Sequence, residues 1–158
     1  MTQRLSIWGI GPDLAVVSAL YGAAALAATL RWPGVFAVQG VPYAWFLVPA
    51  VVLIVVGLPL YAVSVRTMTK AYARKRLVTT GVYAVCRNPI YSVWILLLVP
   101  AIALLLRSWL VLTLSLVMYL VVRLRIRKEE ENLEALFGQE YLDYKRRVGA
   151  VFPRPWRK

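Results

Sequence analysis

Hydrophobic residues dominate the chain in four uncharged segments that short polar stretches separate. The segments cover 14–30, 43–65, 89–106 and 108–122, with 17, 23, 18 and 15 residues. A helix needs about 20 residues to cross the hydrocarbon core of a bilayer, with a range of roughly 17–25. The fourth segment reaches that length by running on to residue 126, because Arg123 and Arg125 can extend their side chains to the headgroups. The pattern predicts an all-α, polytopic membrane protein with about four transmembrane helices.

The third and fourth segments are separated by a single charged residue, Arg107. Because this polar stretch is too short for a long loop, we expect these two helices to form a tight antiparallel hairpin. Trp109 follows at once, at the position where aromatic side chains favour the membrane interface.

After the fourth segment the pattern changes to that of an amphipathic helix, because six of the seven carboxylates lie between residues 129 and 143. At 100° per residue an apolar arc of about 80° is formed by Leu133, Phe137, Tyr141, Tyr144 and Val148. Glu130 falls inside this arc, Glu129 and Arg147 flank it, and Gly138 is a possible break. The helix either lies on the membrane surface or brings a carboxylate pair to a cationic ligand. The second interpretation explains the position of Glu129 and Glu130, because acidic groups that face anionic lipids are electrostatically unfavourable.

The amino-acid composition is typical of a membrane protein and excludes several kinds of functional site. Of 158 residues, 61% are hydrophobic and 16% are charged, against roughly 45–50% and about 25% in soluble domains. Cys86 is the single cysteine and the chain contains no histidine. An intramolecular disulfide, a His-based zinc site and a Ser-His triad are therefore excluded, and we expect no metal.

Basic residues predict the orientation in the membrane. Six Lys or Arg residues lie between 66 and 87 and ten between 123 and 158, whereas the other two connections and the N-terminus have one each. The positive-inside rule then places both termini and the 66–88 loop in the cytoplasm, which requires an even number of crossings. The net charge of +12 indicates contact with anionic membrane lipids rather than nucleic acid. The stretch 25–27 is similar to a signal-peptidase site, but Asp13 and the charge pattern favour an uncleaved first helix.

Two short motifs resemble the signature of one enzyme family. The stretch 77–94, LVTTGVYAVCRNPIYSVW, precedes and opens the hairpin, and Glu-Glu-x-x-Leu at 129–133 is followed by Phe-Gly-x-x-Tyr-x-x-Tyr at 137–144. Together they resemble the isoprenylcysteine carboxyl methyltransferases, a family of integral membrane enzymes. The resemblance covers 77–153. It suggests a division into N-terminal membrane helices at 1–76 and a catalytic region at 77–158.

The resemblance implies that S-adenosyl-L-methionine binds between the hairpin and the tail, at the cytoplasmic face, and leaves as S-adenosyl-L-homocysteine. The residues implied to bind it are Tyr83, Arg87, Asn88, Pro89, Tyr91, Glu129, Glu130, Leu133 and Tyr141. Candidates for the acceptor site are Trp94, Tyr144 and Arg147. Asn88 replaces the usual histidine of the family, and an amide cannot shuttle a proton near neutral pH.

Methyl transfer from a sulfonium mainly requires positioning of the two reactants. A carboxylate acceptor is ionised at pH 7 and needs no base, so we predict Arg147 and Glu130 as catalytic residues, with Arg147 gripping the acceptor carboxylate. The predicted acceptor is lipophilic, an isoprenylcysteine-like carboxylate on a small molecule or prenylated protein. Methylation of a phospholipid amine is the alternative, in which a carboxylate must act as base. A non-catalytic membrane adaptor is the third interpretation.

Overall fold

The computed structural model describes residues 10–74 and 76–153. Within these ranges the chain forms helices, two isolated β-bridges and no β-strand. In chain order the helices are α1 (Gly11–Arg31), α2 (Pro33–Phe36), α3 (Ala44–Arg74), α4 (Val82–Val85), α5 (Pro89–Val93), a π-helical turn (Trp94–Leu98), α6 (Val99–Leu105), α7 (Trp109–Phe137) and α8 (Gln139–Arg147). The predicted all-α fold class is confirmed.

Three of the described helices, α1, α3 and α7, are long and apolar enough to cross a membrane. The fourth predicted crossing is the shorter apolar segment Pro89–Leu105, which contains α5, the π-helical turn and α6. The turn precedes Pro100, whose ring nitrogen has no hydrogen to donate to the carbonyl of Leu96. The regular helical bond is therefore missing at this point, and the backbone widens.

The connection between α6 and α7 is the tight hairpin that the sequence predicts. The Ser108 backbone N–H donates to the Ala103 carbonyl at 2.8 Å, and the Ser108 hydroxyl caps α7 by accepting the Val111 N–H at 3.1 Å. Arg107 takes a left-handed conformation with φ of 54°. Its Nε donates to the carbonyl of Val38 at 2.9 Å, so the hairpin is fastened to the connection that follows α2.

Helices α1 and α3 flank this hairpin on different sides. Helix α1 packs along α7, where Tyr21 and Thr113 hydroxyls lie 2.7 Å apart. Helix α3 packs on α5, the π-helical turn and α6, with Gly57 so close that a Cβ there would lie 2.9 Å from Leu98 Cδ2. Residues from the start of α1, the end of α3, the start of α5 and the end of α7 surround one space, so these four helix ends lie at the same end of the bundle.

Helix α7 continues past the predicted limit of the fourth crossing, residue 126, and ends at Phe137. Gly138 then adopts φ of 53° and starts α8 in a new direction, which confirms the break expected there. The apolar residues of the tail do not lie in the headgroups, because Tyr141, Tyr144 and Val148 form a buried cluster against Leu77, Leu133 and Phe137.

Candidate ligand site at the basic end of the bundle

The tail folds back onto the turn that opens α5. We call residues 148–151 the tail segment; it runs alongside residues 86–88 with one parallel β-bridge, between Cys86 and Gly149. The Arg87 and Asn88 backbone N–H groups donate to the carbonyls of Gly149 and Ala150 at 2.8 and 3.0 Å. The Asn88 side chain adds a bond from Nδ2 to the Ala150 carbonyl at 3.1 Å. Asn88, predicted to contact the cofactor, therefore holds the tail segment in place.

Arg87 connects three parts of the chain with one guanidinium group. Its Nη1 donates to the carbonyls of Lys145 and Val148, at 2.9 and 2.7 Å, and its Nη2 forms an ion pair with Glu130. Lys145 Nζ lies 2.8 Å from the other oxygen of Glu130. The Arg87 side chain is 7% exposed. This buried charge pair joins residues 87–89, which we call the RNP turn, to α7 and α8.

Tyrosine side chains continue the connection from the tail to α3. The Tyr144 hydroxyl donates to the carbonyl of Tyr83 at 2.6 Å, and the Tyr83 hydroxyl donates to the carbonyl of Ser64 at 3.3 Å. Burial raises the pKa values of Tyr83, Tyr141 and Tyr144 well above the ordinary range. All three phenols are therefore protonated at neutral pH, and Tyr83 and Tyr144 act as donors. Burial also raises the pKa of the Cys86 thiol, which makes Cys86 a poor nucleophile.

A cavity of about 740 Å³ opens between these elements. Its walls come from the start of α1, the second half of α3, the loop before α5, the end of α7 and α8. This volume lies within the range of roughly 300–1,000 Å³ that is typical of small-molecule sites. Residues from both halves of the predicted division, 1–76 and 77–158, therefore line one cavity.

Two polar side-chain atoms of residues that line the cavity stand out because they have no hydrogen-bond partner among the described residues. Glu129 Oε2 and Arg87 Nε are both buried, and neither makes a hydrogen bond with any residue that the structure describes. The backbone N–H of Ile10, at the start of α1, lies close enough to the Glu129 carboxylate to stabilise its charged form. Buried polar groups in folded proteins are nearly always satisfied, so an unpartnered acceptor and an unpartnered donor in two residues that line one cavity are candidate contacts for a polar ligand.

Most of the residues predicted for the site line this cavity. They are Tyr83, Arg87, Asn88, Pro89, Tyr91, Glu129, Glu130, Leu133, Tyr141 and Tyr144. Two predicted residues do not. Trp94 packs edge-on against Tyr61, with ring centroids 6.1 Å apart. Arg147 is exposed on the outer side of α8, where its Nε donates to the Asp143 carbonyl at 3.3 Å.

The position of Arg147 follows from the geometry of α8. Tyr141, Tyr144 and Val148 occupy the buried face, and Arg147 lies about a quarter of a turn from the centre of that face at 100° per residue. Its side chain therefore points away from the cavity. The geometry gives no support to the expected role of Arg147 in gripping an acceptor carboxylate.

The sequence interpretation missed the walls that α1 and α3 contribute. Ile10, Gly11 and Asp13 line the cavity from α1, and Asp13 Oδ2 lies 3.5 Å from Arg125 Nη1 on α7. On α3 the lining residues include Tyr61, Val65, Met68 and Tyr72. Their spacing of four, three and four residues places them on one helical face. This spacing is visible in the sequence of α3 and could have predicted that face.

The helices and the cavity together define a polytopic, all-α membrane protein with a candidate ligand site at one end of its bundle. The sequence model of the family described as phospholipid methyltransferase matches residues 45–140. The chain belongs to this family.

Individual relatives give a second, shorter match. The chain is 39% identical over 77 residues to the protein-S-isoprenylcysteine O-methyltransferase of Mus musculus, and 36% identical over the same length to that of Homo sapiens. The corresponding protein of Tribolium castaneum is 35% identical over 77 residues. Each match covers 49% of this chain and 27% of the relative. These relatives confirm the predicted resemblance, and the match spans about a quarter of their length.

Proposed function

We propose that the protein is a membrane methyltransferase that takes its methyl group from S-adenosyl-L-methionine and transfers it to a lipophilic acceptor. The observation that carries the proposal is the pair of unpartnered buried atoms, Glu129 Oε2 and Arg87 Nε, in two residues that line one cavity. The family match and the names of the relatives support the same reaction class.

The residues on the cavity fit this cofactor. Its amino acid end has an ammonium and a carboxylate group, which complement the Glu129 acceptor and the Arg87 donor through charge-assisted hydrogen bonds. Tyr83, Tyr91 and Tyr141 also line the cavity, and the face of an aromatic ring attracts a cation with about 0.5–2 kcal/mol. When bound, the cofactor supplies a methyl group already activated by the sulfonium.

Glu129 and Glu130 take different roles in this proposal. Both oxygens of Glu130 are occupied, one by Arg87 and one by Lys145, so Glu130 acts as a positioning residue for the tail and for Arg87. Glu129 keeps one oxygen for the ligand. The predicted catalytic contact of Glu130 is thereby replaced by an indirect role.

The acceptor binds on the α3 side of the cavity in our proposal. Tyr61, Val65 and Met68 line that side and lie on the half of α3 that is next to the charged residues. An apolar wall at this depth fits a lipid chain entering from the membrane. By the positive-inside rule, the cavity and both termini face the cytoplasm.

A carboxylate of the isoprenylcysteine type is the acceptor that the named relatives favour, and it requires no base. A phospholipid amine is the second candidate, because Glu129 could accept the proton that an amine must lose. Asn88 does not serve as base in either case, since its amide donates to the Ala150 carbonyl.

Two measurements on the detergent-purified full chain test the proposal. The first is binding of S-adenosyl-L-methionine and S-adenosyl-L-homocysteine, for which we expect micromolar affinity. The second is transfer of a radiolabelled methyl group to farnesylcysteine and to phosphatidylethanolamine, which separates the two acceptors. If neither nucleoside binds at millimolar concentration, the adaptor interpretation replaces the enzyme.

A further inference from the structure

The last turns of α3 form an exposed basic stripe that the cavity does not use. We call Arg66, Lys70 and Arg74 the α3 stripe. They follow one another at intervals of four residues, and all three are exposed. At 100° per residue they lie on the face opposite to the residues of α3 that line the cavity.

The α3 stripe begins where the hydrophobic part of α3 ends. Helix α3 has 31 residues and rises about 46 Å at 1.5 Å per residue, whereas a bilayer core is about 30 Å thick. Residues 43–65 are uncharged and are long enough to fill that core. Arg66 is therefore placed at the level of the headgroups, with Lys70 and Arg74 one and two turns beyond it.

Among the described residues, no ion pair joins the α3 stripe to a carboxylate. No Asp or Glu occurs in the sequence between Asp13 and Glu129. Asp13, Glu130 and Asp143 pair with other basic residues, and Glu129 lines the cavity. Like charges four residues apart on a helix repel each other, so an external anion between them would stabilise the end of α3.

We propose that the α3 stripe is a binding site for the headgroups of anionic phospholipids in the adjoining leaflet. Three features favour this ligand. Arg66 lies at the depth of the headgroups, the three cations follow one exposed face, and α3 has no carboxylate. A Lys or Arg near an anionic bilayer surface favours association about fivefold, so three together select an anionic over a zwitterionic lipid.

Fluorescence quenching by brominated lipids tests this site without using the proposed cofactor. A fluorophore is attached at Val63→Cys in a Cys86→Ser background, since Val63 is exposed within the apolar part of α3 on the same face as the stripe. The full chain is reconstituted in phosphatidylcholine that contains either brominated phosphatidylglycerol or brominated phosphatidylcholine. Leu20→Cys on α1, which is 70% exposed, is the control position.

We expect quenching at position 63 to give an association constant at least about fivefold higher for phosphatidylglycerol than for phosphatidylcholine. At position 20 the two lipids should quench alike. The preference should fall between 50 mM and 500 mM salt, because screening weakens the attraction of exposed charges.

Two variants with the same loss of charge locate the effect. Arg66→Gln with Lys70→Gln and Arg74→Gln should abolish the preference at position 63. The control, Arg123→Gln with Arg127→Gln and Arg147→Gln, removes three exposed cations that do not line the cavity, and it should retain the preference. Equal quenching by the two lipids at position 63, or a preference that survives in the α3 stripe variant, would overturn the proposal.

Discussion

Arg87 Nη1 lies 2.7 Å from the carbonyl oxygen of Val148, which joins the turn that opens α5 to the residue that follows α8. The same guanidinium holds Glu130 on α7. The wall that the tail contributes to the cavity is therefore held by one buried cation, Arg87, which is 61 residues away in sequence from Val148. Such a contact gives the tail a definite position over the end of the bundle.

Replacing Arg87 should release the tail. Arg87→Ala leaves Glu130 buried with Lys145 alone, and removing one partner of a buried ion pair costs about 3–5 kcal/mol. Arg87→Lys should be only partly better, because an ammonium lacks the planar fork that reaches two carbonyls and a carboxylate. Thermal unfolding in detergent measures both losses.

The control for Arg87 is Arg146→Ala, which removes an exposed arginine paired with Asp143 and should cost at most about 1 kcal/mol. If Arg87→Ala and Arg146→Ala unfold at the same temperature, the Arg87 contacts do not hold the tail.

Asn88 should be a structural residue rather than a cofactor ligand. Asn88→Ala removes the bond from Nδ2 to the Ala150 carbonyl and should cost about 0.5–1.5 kcal/mol. Asn88→Asp should be worse than Asn88→Ala, because a carboxylate would face a carbonyl oxygen. The free energy of unfolding from denaturant titration ranks the two variants, and the opposite order would exclude this role.

Tyr144 and Tyr141 lie on one cluster but should respond differently to loss of the hydroxyl. Tyr144→Phe leaves the buried carbonyl of Tyr83 without its 2.6 Å partner and should destabilise the fold by about 1–3 kcal/mol. Tyr141→Phe keeps the ring that packs at 6.3 Å from Tyr144, so it should have little effect on stability. Equal losses in thermal unfolding would contradict this assignment.

Stability should fall at alkaline pH. The pKa values of Tyr83, Tyr141 and Tyr144 are raised by burial from the ordinary value of 10.0, so the unfolded chain loses these protons at a lower pH than the folded chain. The unfolded state is then favoured above about pH 10, by up to about 1.4 kcal/mol per pH unit for each tyrosine. Unfolding free energies at pH 8, 9, 10 and 10.5 measure the slope.

The Tyr144→Phe variant is the matched control for this pH dependence. It lacks one of the three buried phenols, so its stability should fall less steeply above pH 10. A slope identical to that of the unchanged chain would mean that Tyr144 does not contribute.

Local sequence features predicted much of the fold. The four apolar segments, the hairpin at Arg107 and the break at Gly138 each depend on a few neighbouring residues, and the structure has all of them. The helical wheel also placed Tyr141 and Tyr144 on one buried face. The resemblance of the RNP turn and the Glu-Glu motif predicted which two stretches meet.

Contacts between distant residues could not be predicted in this way. The helical-wheel prediction used one continuous helix for residues 129–148. In the structure Gly138 starts α8 in a new direction, and Arg147 lies outside the cavity. The approach of the Ile10 N–H to the Glu129 carboxylate depends on how α1 packs along α7. The ion pairs of Glu130 depend on Arg87, which is 43 residues away in sequence, and on Lys145 of the next helix.

The central claim is that the free oxygen of Glu129 binds S-adenosyl-L-methionine. Calorimetric titration of the purified chain should give a micromolar Kd that Glu129→Gln raises about tenfold to a hundredfold, since a charge-assisted hydrogen bond contributes about 1.5–3 kcal/mol. Glu131→Gln removes an exposed carboxylate of the same helix and should leave Kd unchanged. Equal affinities for the unchanged chain, Glu129→Gln and Glu131→Gln would contradict the account.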